Sequence, residues 1–203
     1  MVNEIKLKYK LRDTGVLRAM LKVPRHKFVP KNYIDQAYSD ASLPIGFGQT
    51  ISQPYTVAFM ARLLKLKGSE KVLEVGTGSG YQAAVLSCLA KEVFSLEIIP
   101  ELAERARKIL QELEYKNVKV RIGSGEWGWK ESQPFDAVII TAGLKGKIPN
   151  PLFKQLKIGG ILIAPVGKGN DKIMYRFTKT PIGVRRREKF GIFHFVPFVE
   201  DKN

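Results

Sequence analysis

The feature that most constrains the fold is a regular alternation of short β-rich runs with helical patterns, which begins at residue 71. Parallel strands need crossover connections of this kind, and helices in the crossovers cover both faces of the sheet. The alternation therefore predicts an α/β fold with a doubly wound, mainly parallel, Rossmann-like sheet. Its first five strands are predicted at residues 71–75, 93–97, 118–122, 135–141 and 160–166.

The connections and the two ends of the chain complete this plan. Apolar residues repeat at helical spacing over 102–113, and shorter helices are predicted at 81–90 and 148–156. Two strands, 172–178 and 191–199, follow without an intervening helix and should pair antiparallel, which gives seven strands in all. Residues before 54 carry short helical pieces at 16–21 and 32–37. We expect one domain over 1–203, with an N-terminal cap and substrate loop (1–53) laid over the end of a cofactor-binding core (54–203).

The turn after the first predicted strand has the composition of a nucleoside-binding site. Gly76 and Gly78 let a ligand approach the backbone, and the amides that open the next helix can hold an anion. Glu97 closes the next strand, where an acid takes the ribose hydroxyls of a nucleotide. A dinucleotide fingerprint needs a third glycine at position 81, where this chain has Tyr81, and Glu74 adds negative charge that favours a sulfonium over a pyrophosphate. A plain strand-to-helix turn is the alternative interpretation.

Composition argues against several classes of function. The 203 residues suffice for one substantial core, and they contain no apolar segment of the length of a signal peptide or membrane span. We therefore expect a cytoplasmic protein without a membrane partner. The single Cys88 forms no intrachain disulfide, and its apolar helical surroundings predict a buried, inert thiol. His26 and His194 lack a third ligand, so no metal site is expected.

The formal charge of +15 raises a nucleic-acid hypothesis, because such an excess attracts polyanions. The basic residues are nevertheless spread along the chain. Their densest cluster, residues 185–189, lies beside a Pro- and Gly-containing segment and is predicted in a hairpin loop. A solvated surface accounts for the charge at least as well, so no specific nucleic-acid partner is expected.

Residues 43–54 are unusual for a cap, because they combine glycines, small polar or amide side chains and bounding prolines ahead of a long apolar helix. Such a loop is ordered and offers hydrogen-bonding groups to a ligand. Ser52 or Gln53, just before Pro54, is also a serviceable helix N-cap, and that is the alternative role for this segment.

Several motifs, in order along the chain, resemble a known family. The pattern E-x-G-x-G-x-G at 74–80 resembles the first motif of class I S-adenosylmethionine-dependent methyltransferases, and residues 45–54 resemble the I-G-x-x-Q-T-I-S-x-P loop of protein-L-isoaspartate (D-aspartate) O-methyltransferases. Other segments resemble further motifs of that family: R-x-x-F-V-P at 25–30, G-D-G-x-x-G-W at 123–129, F-D-A-I-x-x-T-A-A at 135–143, L-K-x-G-G-x-L-x-x-P-V-G at 156–167 and F-V-P-L-V at 195–199. The resemblance extends from about residue 12 to residue 199.

The resemblance implies an enzyme that moves a methyl group from S-adenosyl-L-methionine to the free α-carboxylate of L-isoaspartyl and D-aspartyl residues in damaged proteins and peptides. S-adenosyl-L-homocysteine is then the product, and a monomer is expected. Ser52 is implied to orient the attacking carboxylate. The implied cofactor-binding residues are Glu74, Gly76, Thr77, Gly78, Ser79, Gly80, Glu97, Ile98, Gly123 and Ser124. The implied substrate-binding residues are Ile45, Gly46, Phe47, Gln49, Thr50, Ile51, Val196 and Val199.

The chain departs from the family pattern at three positions. Ser124 stands where the family has an aspartate that accepts a hydrogen bond from the adenine amino group, and a serine accepts that bond without charge assistance. Gly143 replaces the second alanine of T-A-A, and Glu97 replaces the commoner aspartate.

Two alternative functions stay open. An RNA methyltransferase is favoured by the charge but opposed by residues 141–143, where amino-methylating nucleic-acid enzymes carry N/D-P-P-Y. A non-catalytic binding module on the same fold is opposed by the intact site residues.

Overall fold

The computed structural model of this chain describes residues 1–183 and 185–199. Its α-helices are α1 (Val2–Lys8), α2 (Thr14–Lys22), α3 (Pro54–Leu64), α4 (Tyr81–Ser87), α5 (Pro100–Glu112) and α6 (Asn150–Lys154). Short 3-10 helices span Arg25–Phe28, Lys31–Gln36 and Lys130–Ser132. The strands are β1 (Leu43–Gly46), β2 (Gln49–Ile51), β3 (Lys71–Val75), β4 (Glu92–Glu97), β5 (Val118–Ile122), β6 (Phe135–Ile140), β7 (Leu156–Val166), β8 (Asp171–Lys179) and β9 (Arg185–His194).

Seven of these strands form one sheet, in the order β5-β4-β3-β6-β7-β8-β9. The pairs from β5 across to β7 are parallel, whereas β8 runs antiparallel to both β7 and β9. The predicted α/β sheet, mainly parallel with an antiparallel C-terminal strand, is confirmed. After β3 the chain builds outward through β4 and β5, then returns to place β6 on the other side of β3. The carboxyl ends of β3 and β6 thus flank the switch point where open α/β sheets bind ligands.

The helix α5 illustrates how sequence pattern becomes packing. Pro100 occupies its first turn, where the missing N–H has no intrahelical partner to lose, and Glu101 adds negative charge at the positive end of the helix dipole. Leu102, Ala106 and Leu110 recur at helical spacing and are buried. Full burial of each leucine contributes about 1.5–3 kcal/mol, so this apolar stripe holds α5 against the sheet.

The N-terminal segment packs into the same apolar core as one face of the sheet. Ile5, Leu17 and Phe28 are buried within a cluster that also contains residues of α3, α4 and β4. The strands β1 and β2 pair antiparallel as a separate hairpin, and the Arg105 guanidinium of α5 donates a hydrogen bond to the Ile45 carbonyl. These contacts tie the hairpin to the helix that follows β4.

Two predictions about local structure are wrong. The last strand is β9, from Arg185 to His194, and not residues 191–199, so the basic run predicted in a hairpin loop has a strand backbone. Residues 195–199 leave the sheet because their backbone groups bond Gly143 instead: the Gly143 N–H donates to the Val196 carbonyl (2.8 Å) and the Phe198 N–H to the Gly143 carbonyl (3.0 Å). Cys88 is exposed and not buried, because α4 ends at Ser87 and the helical register that would bury the thiol stops there.

Among the described residues, no helix combines the length and apolarity needed to cross a membrane. The same residues contain no group of three or more His, Cys, Asp or Glu side chains arranged to hold a metal ion.

Candidate active site

Two concavities meet at the carboxyl edge of the sheet. The first is a cavity between the β2 strand, the turn after β3, the end of β4 and the C-terminal segment 196–199. The second is an open groove between the N-terminal cap, α3 and the segment 190–197. Five residues line both of them: Thr50, Ser52, Thr141, Val196 and Pro197. The cavity is therefore connected to the groove through the Ser52 region.

The glycine turn after β3 forms one wall of the cavity and has a fixed backbone. Gly76 has φ +100° and Gly78 has φ +53°, values that favour glycine. The N–H groups of Gly76 and Thr77 both donate to the Leu96 carbonyl, at 2.8 and 3.1 Å. The Thr141 hydroxyl lies 2.6 Å from the Gly76 carbonyl, and a Cβ on Gly76 would overlap that hydroxyl. The turn is thus held from β4 on one side and from the end of β6 on the other.

The carboxylate of Glu97 lies at the cavity wall with both oxygens held by backbone amides. Oε2 accepts from the Gly78 N–H at 2.7 Å, and Oε1 accepts from the Ile99 N–H at 3.1 Å. The side chain is 6% exposed and lines the cavity. A carboxylate held in this way retains free lone pairs and can accept further hydrogen bonds from the hydroxyls of a ligand.

Glu74 occupies a different position from the one its spacing predicts. The side chain is fully buried under the turn, where Ser95 donates to Oε2 at 2.5 Å and the Ser95 hydroxyl also lies 2.5 Å from the Thr77 hydroxyl. Burial raises the pKa of Glu74 to about 8, so the group is mostly protonated at neutral pH. The prediction that Glu74 places a negative charge near a sulfonium is therefore wrong. Glu74 instead supports the turn from below through Ser95.

The loop after β5 contributes its backbone to the cavity. Gly123 and Gly125 line the wall, and the Gly123 N–H donates to the Glu97 carbonyl at 2.8 Å. Ser124 is not among the described lining residues. Its hydroxyl lies 3.3 Å from a Glu126 carboxylate oxygen and accepts from the Glu126 N–H at 3.3 Å. The serine that replaces the family's aspartate is thus engaged within its own loop.

The Ser52 segment is positioned by Asp40. The Asp40 carboxylate accepts from the Gln53 side-chain amide (2.9 Å), the Tyr9 hydroxyl (2.7 Å) and the Tyr55 N–H in the first turn of α3 (3.0 Å). Gln53 is the N-cap residue of α3, but its side chain makes no capping bond within the described part of the chain. Asp40 therefore caps α3 at the Tyr55 N–H, and Ser52, which lines both the cavity and the groove, makes no capping bond within the described residues.

The cavity chemistry fits a nucleoside bearing a short polar chain. The open glycine backbone offers close approach, Glu97 offers a fixed acceptor for hydroxyls, and Val75, Leu96 and Ile99 offer apolar walls. The buried location of Glu97 shields these bonds from water. A nucleoside cofactor such as S-adenosyl-L-methionine therefore matches both the shape of the turn and the hydrogen-bonding groups of the cavity.

Comparison with known proteins identifies the family. The family model of protein-L-isoaspartate(D-aspartate) O-methyltransferases matches residues 1–203. The chain belongs to this family.

The relatives agree over most of their length. A protein-L-isoaspartate O-methyltransferase of Dictyoglomus turgidum is 51% identical over 187 residues, which cover 92% of this chain and 84% of the relative. One from Gloeobacter violaceus is 50% identical over 189 residues, with 93% and 91% coverage. A solved protein-L-isoaspartate O-methyltransferase structure has a TM-score of 0.85 at 28% identity and covers 97% of this chain, which spans 65% of that one. A Plasmodium falciparum structure in complex with S-adenosyl-L-homocysteine has a TM-score of 0.84 at 23% identity, covers 98% and 97%, and supports the fold.

In this methyltransferase chain, most of the predicted site residues are brought together. The cavity is lined by Gln49, Thr50, Ile51, Ser52, Gly76, Thr77, Gly78, Ser79, Glu97, Ile98, Gly123, Val196 and Val199. Six predicted residues are not among the described lining residues: Ile45, Gly46, Phe47, Glu74, Gly80 and Ser124. Gly80 packs under α5 near Leu110, and Phe47 is exposed at the tip of the β1–β2 hairpin.

Sequence reasoning missed several lining and supporting residues of the methyltransferase site. Thr141 and Tyr81 line the cavity, and Asp40 sets the Ser52 segment. Thr141 ends a predicted strand at the switch point, which is a position where site residues are expected. Asp40 lies in the turn between the 3-10 helix Lys31–Gln36 and β1, and no local pattern indicates its role, because its partners are 13 to 31 residues away.

Proposed function

We propose that this chain transfers a methyl group from S-adenosyl-L-methionine to the free α-carboxylate of L-isoaspartyl residues, and of D-aspartyl residues, in damaged proteins and peptides. The observation that carries the proposal is the meeting of the two concavities at Ser52. A cofactor bound in the cavity and an extended peptide bound in the groove would face each other there. Membership of the family and the relatives at about half identity support the same acceptor.

The residues of the cavity have distinct roles in this proposal. Glu97 would accept hydrogen bonds from the ribose hydroxyls, and the backbone of Gly76 and Gly78 would hold the amino-acid end of the cofactor. Ile98 and Gly123 would hold the adenine. When bound, the cofactor supplies a methyl group on a positively charged sulfur.

Positioning accounts for the acceleration that this chain needs to supply. The α-carboxylate of an isoaspartyl residue is already ionised at neutral pH, so no residue needs to remove a proton. Ser52 donates a hydrogen bond to one carboxylate oxygen and directs the other toward the methyl carbon. Thr50 and Val196 hold the peptide backbone on either side. Ile51, which is 2% exposed, and Phe198 keep water away from the reacting atoms.

A labelled-methyl assay tests this function. The protein is incubated with the labelled cofactor and, separately, an isoaspartyl peptide, the matched aspartyl peptide and tRNA. Label in the isoaspartyl peptide alone supports the proposal. Label in tRNA supports the RNA methyltransferase, and label in none of the three supports the non-catalytic module.

The role of Ser52 is tested by Ser52→Ala, with Ser87→Ala as the matched control. Ser87 ends α4, and its hydroxyl donates to the Ala84 carbonyl at 2.7 Å, away from the cavity. Loss of one orienting hydrogen bond to a charged group is expected to lower kcat about 10- to 100-fold in Ser52→Ala. An unchanged kcat in Ser52→Ala would show that the serine only completes the loop.

The remaining expectations stay predictions from sequence. These are a cytoplasmic location, a monomer and one domain over 1–203, with no specific nucleic-acid partner. Gel filtration with light scattering measures the oligomeric state, and a filter-binding titration at physiological salt measures the affinity for tRNA.

A further inference from the structure

Arg25 is buried beneath the Ser52 segment, and no carboxylate of the described residues forms a salt bridge with it, although the charge of Asp40 acts on it. Its side chain has 0% exposure. Nε donates to the Ala37 carbonyl at 2.8 Å, and Nη2 donates to the Ser52 carbonyl at 2.8 Å and to the Ala41 carbonyl at 3.4 Å. Within the described residues, its hydrogen bonds thus go to backbone carbonyls, and Nη1 has no partner. Two of these carbonyls, those of Ala37 and Ala41, belong to the turn that contains Asp40, and the third belongs to Ser52.

The other side of the guanidinium rests on Tyr81. The guanidinium carbon lies 4.7 Å from the centre of the Tyr81 ring, and Phe28 contacts the same ring edge-on at 5.6 Å. Tyr81 is 1% exposed, begins α4 directly after the glycine turn, and lines the cavity. Arg25 therefore bridges the Ser52 segment on one side and the start of the cofactor turn on the other.

Burying a charged side chain at this depth costs free energy, because the charge loses its hydration. Burial lowers the pKa of Arg25 to about 10, which still leaves the group charged at neutral pH. The carbonyl dipoles, the Tyr81 ring face and the charge of Asp40 act against this loss and favour the charged guanidinium. The guanidinium is planar and carries several donors in fixed positions, so it can hold carbonyls from separate loops in one geometry.

We propose that Arg25 is a positioning residue for methyl transfer. By holding the Ser52 carbonyl while it rests on Tyr81, it sets the distance between the serine that orients the carboxylate and the turn that holds the cofactor. This inference rests on the proposed function. The bonds that hold the glycine turn and Glu97 do not involve Arg25, so the cofactor cavity should persist without it.

The expected effect is therefore a split between catalysis and cofactor affinity. Misplacement of a reacting group by about 1 Å costs on the order of 100-fold in rate. We expect Arg25→Met to lower kcat on an isoaspartyl peptide by about 10- to 100-fold. The Kd for S-adenosyl-L-homocysteine should change by less than about 3-fold, because the hydrogen bonds that hold the glycine turn and Glu97 do not involve Arg25. A lysine keeps the positive charge but lacks the planar set of guanidinium donors. The kcat of Arg25→Lys should therefore lie between those of Arg25→Met and the unmodified chain.

Three measurements on the full chain test the inference: kcat and KM on an isoaspartyl peptide, the Kd for S-adenosyl-L-homocysteine by calorimetry, and hydrogen exchange of peptic fragments. The control is Arg107→Met, since Arg107 also donates to a distant carbonyl, that of Val120, but this carbonyl belongs to β5 and the Arg107 side chain is 42% exposed. In Arg25→Met we expect faster exchange in residues 49–53 and unchanged exchange in β4. Arg107→Met should leave kcat and the exchange of residues 49–53 as in the unmodified chain.

The outcomes separate this inference from the proposed function. Normal kcat and normal exchange at 49–53 in Arg25→Met would overturn the positioning role. A rise in exchange over the whole chain, together with weaker binding of S-adenosyl-L-homocysteine, would also overturn the positioning role. That result would indicate that Arg25 stabilises the fold in general. If Arg25→Met does not fold, Arg25→Lys decides: a lowered kcat with normal product affinity supports the role, and an unchanged kcat overturns it. If the unmodified chain does not methylate the peptide, the proposed function fails, and the exchange comparison still decides whether Arg25 holds the Ser52 segment.

Discussion

Replacing Glu97 by glutamine should weaken cofactor binding while leaving the acceptor site intact. The carboxylate accepts from two amides, Gly78 at 2.7 Å and Ile99 at 3.1 Å, and Glu97 lines the cavity. In Glu97→Gln one oxygen becomes an NH₂ group, which cannot accept from either amide or from a ribose hydroxyl. Loss of hydrogen bonds to a charged group costs about 1.5–3 kcal/mol. That cost corresponds to an increase of about 10- to 150-fold in the Kd for S-adenosyl-L-homocysteine.

Calorimetric titration at neutral pH measures this change directly, and Glu101→Gln is the control. Glu101 lies in the exposed first turn of α5, four residues further along the chain, so its loss removes the same charge without touching the cavity. At saturating cofactor, Glu97→Gln should retain the KM for the isoaspartyl peptide, because the groove does not contain Glu97. A Kd within about 3-fold of the unmodified chain would refute the assignment of Glu97 to the ribose, since that is far below the expected loss.

Three further predictions concern stability. Because the folded-state pKa of Glu74 is raised to about 8 from 4.5, the folded chain keeps a proton that the unfolded chain loses, and the free energy of unfolding falls as pH rises through that window. Glu74→Gln cannot lose a proton, so its Tm relative to the unmodified chain should rise from about pH 5 to pH 8; a difference that is flat with pH would contradict the raised pKa. A Cβ on Gly143 would lie 2.5 Å from Lys172 Cε, so Gly143→Ala should lower the free energy of unfolding, measured with denaturant, by about 1–3 kcal/mol. In the presence of Lys172→Ala, most of the cost of Gly143→Ala should disappear. Fully additive effects of the two substitutions would contradict the contact. Asp40→Ala removes the cap of α3 at the Tyr55 N–H and should cost about 1–2 kcal/mol in the same unfolding measurement, whereas an unchanged midpoint would contradict the capping role.

Local pattern was sufficient to predict the parallel part of the sheet. β3 and β5 begin and end at the predicted residues because strong β-formers are bounded there by glycine, proline or polar turns. The carboxyl end of β3, the glycine turn and Glu97 follow from the same local signal. The glycine turn directly follows β3 and Glu97 is the last residue of β4, so each position is indicated by the end of its own strand.

The mistakes arise where distant partners override local preference. Residues 195–199 have the composition of a strand, but hydrogen bonds to Gly143 draw them to the cavity. Burial, which no short motif reveals, outweighs the hydrogen bond from Ser95 and raises the pKa of Glu74 to about 8. Arg25 resembles a surface arginine in sequence, and its depth depends on Tyr81, which is 56 positions further along the chain.

The central claim is that this chain esterifies the α-carboxylate of an isoaspartyl residue. The most direct measurement supplies methyl-labelled S-adenosyl-L-methionine with an isoaspartyl peptide and then treats the product with mild base, which releases the label of a carboxyl methyl ester as volatile methanol. We predict volatile label in proportion to the isoaspartyl peptide, none with the matched aspartyl peptide, and a loss of about 10- to 100-fold in rate with Ser52→Ala. Base-stable label, or equal label in the two peptides, would contradict the account.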